Sequence, residues 1–105
     1  MAQFDVYRNP DEDDRGTIPF VLDIQSKLLD NLRTRVVVPL AKSKITPAAQ
    51  STRFTPLFTV SGMTVFMLTP NLFPVETHEL GRVVTSLAAQ RHDIIAAVDY
   101  LISGI

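Results

Sequence analysis

The sequence predicts a small, mainly β fold of barrel-like form with one C-terminal α-helix packed on it. Three observations carry that reading. Short segments with apolar residues at every second position recur through most of the chain, and turn residues separate them. From Leu87 onward the apolar period becomes helical. With 105 residues the chain is one domain, 1–105, large enough for a single core and not for two.

The elements follow in order. Gln3 to Tyr7 alternates as a short strand with Phe4 and Val6 on one face. Asn9 to Gly16 is a polar, acidic loop. Phe20, Leu22 and Ile24 recur at every second residue with Asp23 and Gln25 between the later ones, which predicts a half-buried strand. Lys27 to Asn31 breaks the alternation, and its adjacent Leu28 and Leu29 are unusual in a connection. Arg35 to Val38 is β-branched and predicts a third strand, with Pro39 marking a strand end, a bulge or a sheet edge. Lys42 to Arg53, with Pro47, is an irregular excursion.

Leu57 to Val60, then Ser61-Gly62, then Met63 to Leu68 predicts a hairpin with a tight turn. Its second arm is apolar on both faces from Val65, so it is central in a barrel or covered by a partner. Thr69-Pro70-Asn71 ends that arm, and Phe73-Pro74-Val75 begins another extended piece. The helix carries a stripe of Leu87, Ile94, Val98, Leu101 and Ile105, widened by Ile95 and Ile102. Thr85 or Ser86 supplies the expected N-cap hydroxyl, and Gln90, Arg91, Asp93 and Asp99 form a wet face. At the far end, Ser103 as C-cap places Gly104 in a left-handed conformation with Ile105 one residue beyond. The stripe is wider there than one side of a small sheet requires, which predicts a homodimer.

Composition excludes several functions. Net charge is −1, so attraction to nucleic acid is not the expected driver of binding. The absence of cysteine removes disulfides and thiolate zinc sites and suits a reducing cytoplasm. The first residues lack the pattern of a signal peptide, and no apolar stretch approaches the ~20 residues of a membrane span. A cytoplasmic protein without cofactor is expected.

Catalytic chemistry is thinly supported. His78 and His92 lie near Glu76, Glu79 and Asp93 in the sequence but form no known metal or triad spacing. Neighbours on a helix, His92 and Asp93 point in different directions. We therefore expect no catalytic residue and no metal ligand. The run Asp11, Glu12, Asp13, Asp14 lacks the ligand order of a calcium loop and reads as a solvated loop able to steer a basic partner. Arg33 and Arg35 flank Thr34 and can grip a phosphate or carboxylate, although surface solubility residues are the commoner explanation for such a pair.

The order of motifs resembles the CcdB family, the toxin half of the ccd toxin–antitoxin modules. The matching pieces are Gln3-Phe4 with Val6-Tyr7, Phe20 to Ser26, Arg35 to Leu40, Met67-Leu68-Thr69, Phe73-Pro74-Val75, and Asp93-Ile94 through to Gly104-Ile105. The match spans nearly the whole chain in the same order and weakens at Lys42 to Arg53 and Glu76 to Val84.

The resemblance implies a homodimer with an SH3-like β-barrel, a small extra sheet and a C-terminal helix. It implies a toxin that poisons DNA gyrase by binding the A subunit and trapping the enzyme with its DNA cut, while breaking no bond itself. A CcdA-type antitoxin would wrap the dimer and remove it from gyrase. The gyrase-facing residues carried over are Leu28, Leu29, Asp99, Ile102, Ser103, Gly104 and Ile105, with the leucine pair and the tail meeting near the dimer axis. For the antitoxin, the acidic loop Asp11, Glu12, Asp13 and Asp14 is expected to act with Lys42 and Lys44.

Many family members carry tryptophan where this chain has Ser103, and asparagine can stand at Asp99. A tryptophan anchor is typically worth about 2 kcal/mol or more, so weaker poisoning, or contact shifted to Ile102 and Ile105, is expected. Two alternatives stay open: an endoribonuclease toxin on the related barrel, and a weakened toxin serving as an antitoxin-binding partner.

Overall fold

The computed structural model describes residues 2–43 and 52–104. Among them seven strands and one α-helix follow the chain: β1 (Asp5–Arg8), β2 (Phe20–Asp23), β3 (Thr34–Lys42), β4 (Leu57–Val60), β5 (Met63–Met67), β6 (Phe73–Glu76), β7 (Val83–Ser86) and α1 (Arg91–Ser103). All pairings are antiparallel, in the order β4-β5-β3-β2-β1-β7, with β6 paired to β3. The architecture is a mainly β half-barrel with a C-terminal helix.

The nine-residue β3 is the hub. One side pairs with β2 over Val37–Leu40, while the other pairs with β6 over Thr34–Val37 and with β5 over Leu40–Lys42. Pro39 therefore does not end the strand. It sits where the partner changes, so its missing N–H falls between two ladders, and its carbonyl still accepts from the Leu68 N–H at 2.9 Å.

The strand faces divide the molecule into two apolar clusters. Val6, Leu22, Val38, Leu40, Val65 and Met67 point to the main core, which Leu87, Ile94 and Ala97 close from the helical end. Tyr7, Val21, Val37, Val75 and Leu80 form a smaller cluster on the opposite face. This second cluster corrects the half-buried reading of β2. All four residues of β2 are buried, Asp23 included, because β6 and the segment after it cover the face that alternation assigned to water.

The hairpin forms as expected. Ser61 and Gly62 both take positive φ, 51° and 76°, the conformation that matches a two-residue turn to strand twist. At the other edge, β7 was not anticipated. Thr85 and Ser86 belong to this strand rather than to a helix N-cap, since β1 would otherwise present an unpaired edge. Ser86 Oγ accepts from the Ala88 N–H at 3.1 Å, a 3-10 turn at Ala88–Gln90 follows, and α1 begins at Arg91 without a side-chain cap. Leu87 is buried but precedes the helix; its N–H donates to the Phe4 carbonyl at 2.8 Å.

Only Ile94 and Ala97 of α1 are buried, with Val98 packed beside them. Ile95, Tyr100, Leu101 and Ile102 remain exposed, so half of the stripe read from the sequence is uncovered by its own chain. Among the described residues, no helix is long and apolar enough to cross a membrane.

Candidate functional site

The anomalous leucine pair lies on a 3-10 turn, Lys27–Leu29. Leu28 is 86% exposed and Leu29 47%. The turn is nonetheless well fastened. Ser26 Oγ accepts from the Leu28 N–H at 3.2 Å, and the Ser26 carbonyl accepts from the Leu29 N–H at 3.0 Å. Beneath it, Gln25 Nε2 donates to the carbonyls of Leu29 and Thr34, both at 3.1 Å, while Gln25 Oε1 accepts from the Val36 N–H at 3.1 Å. One buried amide thus ties both ends of the excursion to β3.

Arg35 completes this anchorage and corrects its reading as a surface cation. It is 1% exposed, with Nε and Nη2 donating to Asp23 Oδ2 at 2.9 and 2.8 Å, and Nη1 paired with Asp30 at the end of the leucine turn. Its Nη2 also reaches the Gln25 carbonyl at 3.3 Å. Burial raises the Asp23 carboxyl above its ordinary 3.8, although the Gln25 N–H and the Arg35 guanidinium pull it the other way. Burial works to lower Arg35, but its bonds to Asp30 and Asp23 outweigh that and hold it charged. The guanidinium cannot grip an outside anion, because carboxylates of its own chain already occupy it. Arg33 is exposed.

The helix end holds the second half of the predicted surface. Ile102 is 78% exposed, and Asp99, Ser103 and Gly104 are exposed as well. Gly104 takes φ 74° and donates its N–H to the Tyr100 carbonyl at 2.9 Å, the left-handed helix stop expected from sequence. Ser103 Oγ is turned back onto the Asp99 carbonyl at 2.8 Å. Ile105 lies outside the described residues.

Within one chain these halves stay apart. Leu28 shares a cleft with Phe4, Ala88 and Arg91 at the start of α1, whereas Ile102 and Ser103 lie at its other end. The 13-residue helix separates the ends by about 18 Å at 1.5 Å per residue. Asp99 faces a different cleft of about 610 Å³, together with Arg53, Pro56, His92, Asp93 and Ile95. Adjacent in sequence, His92 and Asp93 both line this cleft. Nearby, the Tyr100 and Phe54 rings pack in a tilted arrangement, centroids 5.5 Å apart and planes at 48°, with the Arg53 guanidinium 5.5 Å from the Tyr100 centroid.

The acidic residues form a tied turn. Asp11 caps the 3-10 turn Glu12–Asp14 by accepting from the Asp13 N–H, and Asn9 Oδ1 accepts from the Asp11 N–H. The Thr17 carbonyl accepts from the Lys42 N–H at 2.9 Å, so Lys42 is brought beside the end of this loop. Lys44 lies outside the described residues. Glu76, His78 and Glu79 bring potential ligand atoms within 4.8 Å of one another. All three are exposed; a reciprocal capping box draws Glu76 and Glu79 together, and His78 Nδ1 lies 3.2 Å from Glu76 Oε2.

Asp23, Gln25 and Asp30, which fasten the leucine turn, were missed as positioning residues. The signal available was the polar pair Asp23 and Gln25 sharing the second face of an amphipathic strand, with an arginine at the start of the next strand. A search of curated proteins finds no match. The model of the family described as CcdB protein matches residues 3–104, and over that nearly complete span the chain belongs to the CcdB family, which makes it a toxin of the toxin–antitoxin kind.

Proposed function

We propose that this toxin poisons DNA gyrase in the cytoplasm by binding its A subunit and trapping the cleaved DNA, without breaking a bond itself, and that a CcdA-type antitoxin reverses it. The observation that carries the reading is the exposure of Leu28 and Ile102 on firmly held elements. Large aliphatic side chains displayed on ordered backbone are suited to a protein partner, since little ordering entropy remains to be lost on binding. A homodimer is part of the proposal, because a second copy is needed to set a leucine turn near a tail. Ser103 supports lower potency: its hydroxyl is engaged with Asp99, and it offers no aromatic area.

The test is binding of the purified chain to immobilised gyrase A subunit. Leu28→Asp and Ile102→Asp alter exposed positions and should fold, and each is expected to weaken binding at least about tenfold, or 1.4 kcal/mol. Undiminished binding by both variants would contradict the assignment of these residues.

A further inference from the structure

Three arginines converge on one cleft of about 380 Å³: Arg8 at the end of β1, Arg15 after the acidic turn, and Arg82 just before β7. Tyr7 pairs with Val83 in the antiparallel β1–β7 ladder, which sets Arg8 and Arg82 opposite one another one step further on. Like charges in that relation are destabilising. Neither guanidinium has a hydrogen bond or an ion pair among the described residues. Arg15 is the fixed member of the group. Its Nε donates to the Asn9 carbonyl at 2.6 Å, while its Nη1 stands 3.7 Å from Glu12, beyond hydrogen-bond range. Glu79, the carboxylate in the lining, is engaged in the capping box with Glu76. Three guanidiniums thus face one carboxylate, in a chain whose net charge is −1.

The surroundings narrow the choice of guest. Pro10 and Glu79 also line a neighbouring cleft, whose other carboxylates are Asp11 and Asp14. An extended polyanion such as a nucleic acid backbone would run onto those charges. Among the described residues no aromatic side chain lines the arginine cleft to stack a base. A compact anion carrying several charges meets neither obstacle. Guanidinium forks match the oxygens of phosphoryl groups, and Pro10, Val83 and Val84 offer apolar area to the body that bears them.

We propose that this cleft binds the pyrophosphate group of a small phosphorylated metabolite, held between Arg8 and Arg82 with Arg15 as a fixed third contact. The site is independent of the gyrase reading, since it shares no lining residue with the leucine turn or the helix tail.

Calorimetric titration of the full chain with inorganic pyrophosphate is the experiment. Binding is expected with a Kd below about 1 mM at low salt, and at least about tenfold tighter than that of inorganic phosphate. Arg8→Gln and Arg82→Gln, both at exposed positions, should each weaken it about tenfold. Arg33→Gln removes an exposed cation elsewhere and should leave it within about twofold. Pyrophosphate should also raise the unfolding midpoint of the native chain and leave that of the Arg8→Gln, Arg82→Gln double variant unmoved. No binding of pyrophosphate would overturn the proposal. Equal losses from all three single variants would do the same, by reducing the site to unspecific attraction. A short DNA duplex that displaces pyrophosphate at equal phosphate concentration would replace the compact guest with a nucleic acid.

Discussion

Arg35 is where residue chemistry and the proposed binding surface meet, since its guanidinium joins Asp23 in the interior to Asp30 on the leucine turn. Arg35→Met leaves a buried carboxylate uncompensated and is expected to destabilise the fold by about 3–5 kcal/mol, read from urea unfolding. Asp23 sets a pH dependence of definite sign. Its folded pKa lies above the unfolded value, so between the two the native state holds more protons, and its contribution to stability falls as pH rises through that window. The stability difference between the wild type and Asp23→Asn should therefore shift against the wild type from about pH 4 upward and level off once Asp23 is ionised; a constant difference would refute the sign. Tyr7 offers a contrasting case: its hydroxyl is buried with no hydrogen-bond partner among the described residues. Tyr7→Phe should leave stability unchanged or raise it by about 1 kcal/mol, and a marked loss would reveal a partner for the phenol. None of this was legible from alternation, which sees Asp23 and Arg35 as polar and hence wet. Burial of one face of β2 depends on β6, more than fifty residues away, and no local pattern carries that information.

At the scale of elements, the hairpin and the helix stop were readable because each depends on local backbone geometry. Ser61-Gly62 needs two positive φ angles, and Gly104 one. Gly104→Ala is expected to cost about 1 kcal/mol through left-handed strain; no atom lies within 4 Å of the added Cβ, so a clash contributes nothing. The start of α1 was misread for the opposite reason. Thr85 and Ser86 are good capping residues, but β1 recruits them as an edge strand, a tertiary demand that propensity does not register. Likewise Pro39 is a strand breaker by type and a strand residue by position, because it falls at the change of partner. Ile102 separates element from function: Ile102→Ala should alter unfolding by less than about 0.5 kcal/mol, being exposed, while reducing gyrase binding. A large stability loss would show that Ile102 is covered by a second copy rather than kept for gyrase.

For the whole molecule, the fold class and the family were legible, since both depend on the order of segments along the chain and the family model spans residues 3–104. The assembled surface was not, because one helix length divides Leu28 from Ile102. A dimer that unites them should raise the unfolding midpoint as protein concentration increases, and a midpoint independent of concentration would argue for a monomer. The central claim, a toxin that traps gyrase through exposed aliphatic contacts and its tail, is most directly tested with purified gyrase, ATP and supercoiled DNA, quenched with detergent. The account predicts linear DNA with the native chain and none with a chain ending at Ser103. Linear DNA from both would contradict the tail mechanism, and linear DNA from neither, with a folded dimer present, would contradict gyrase poisoning itself.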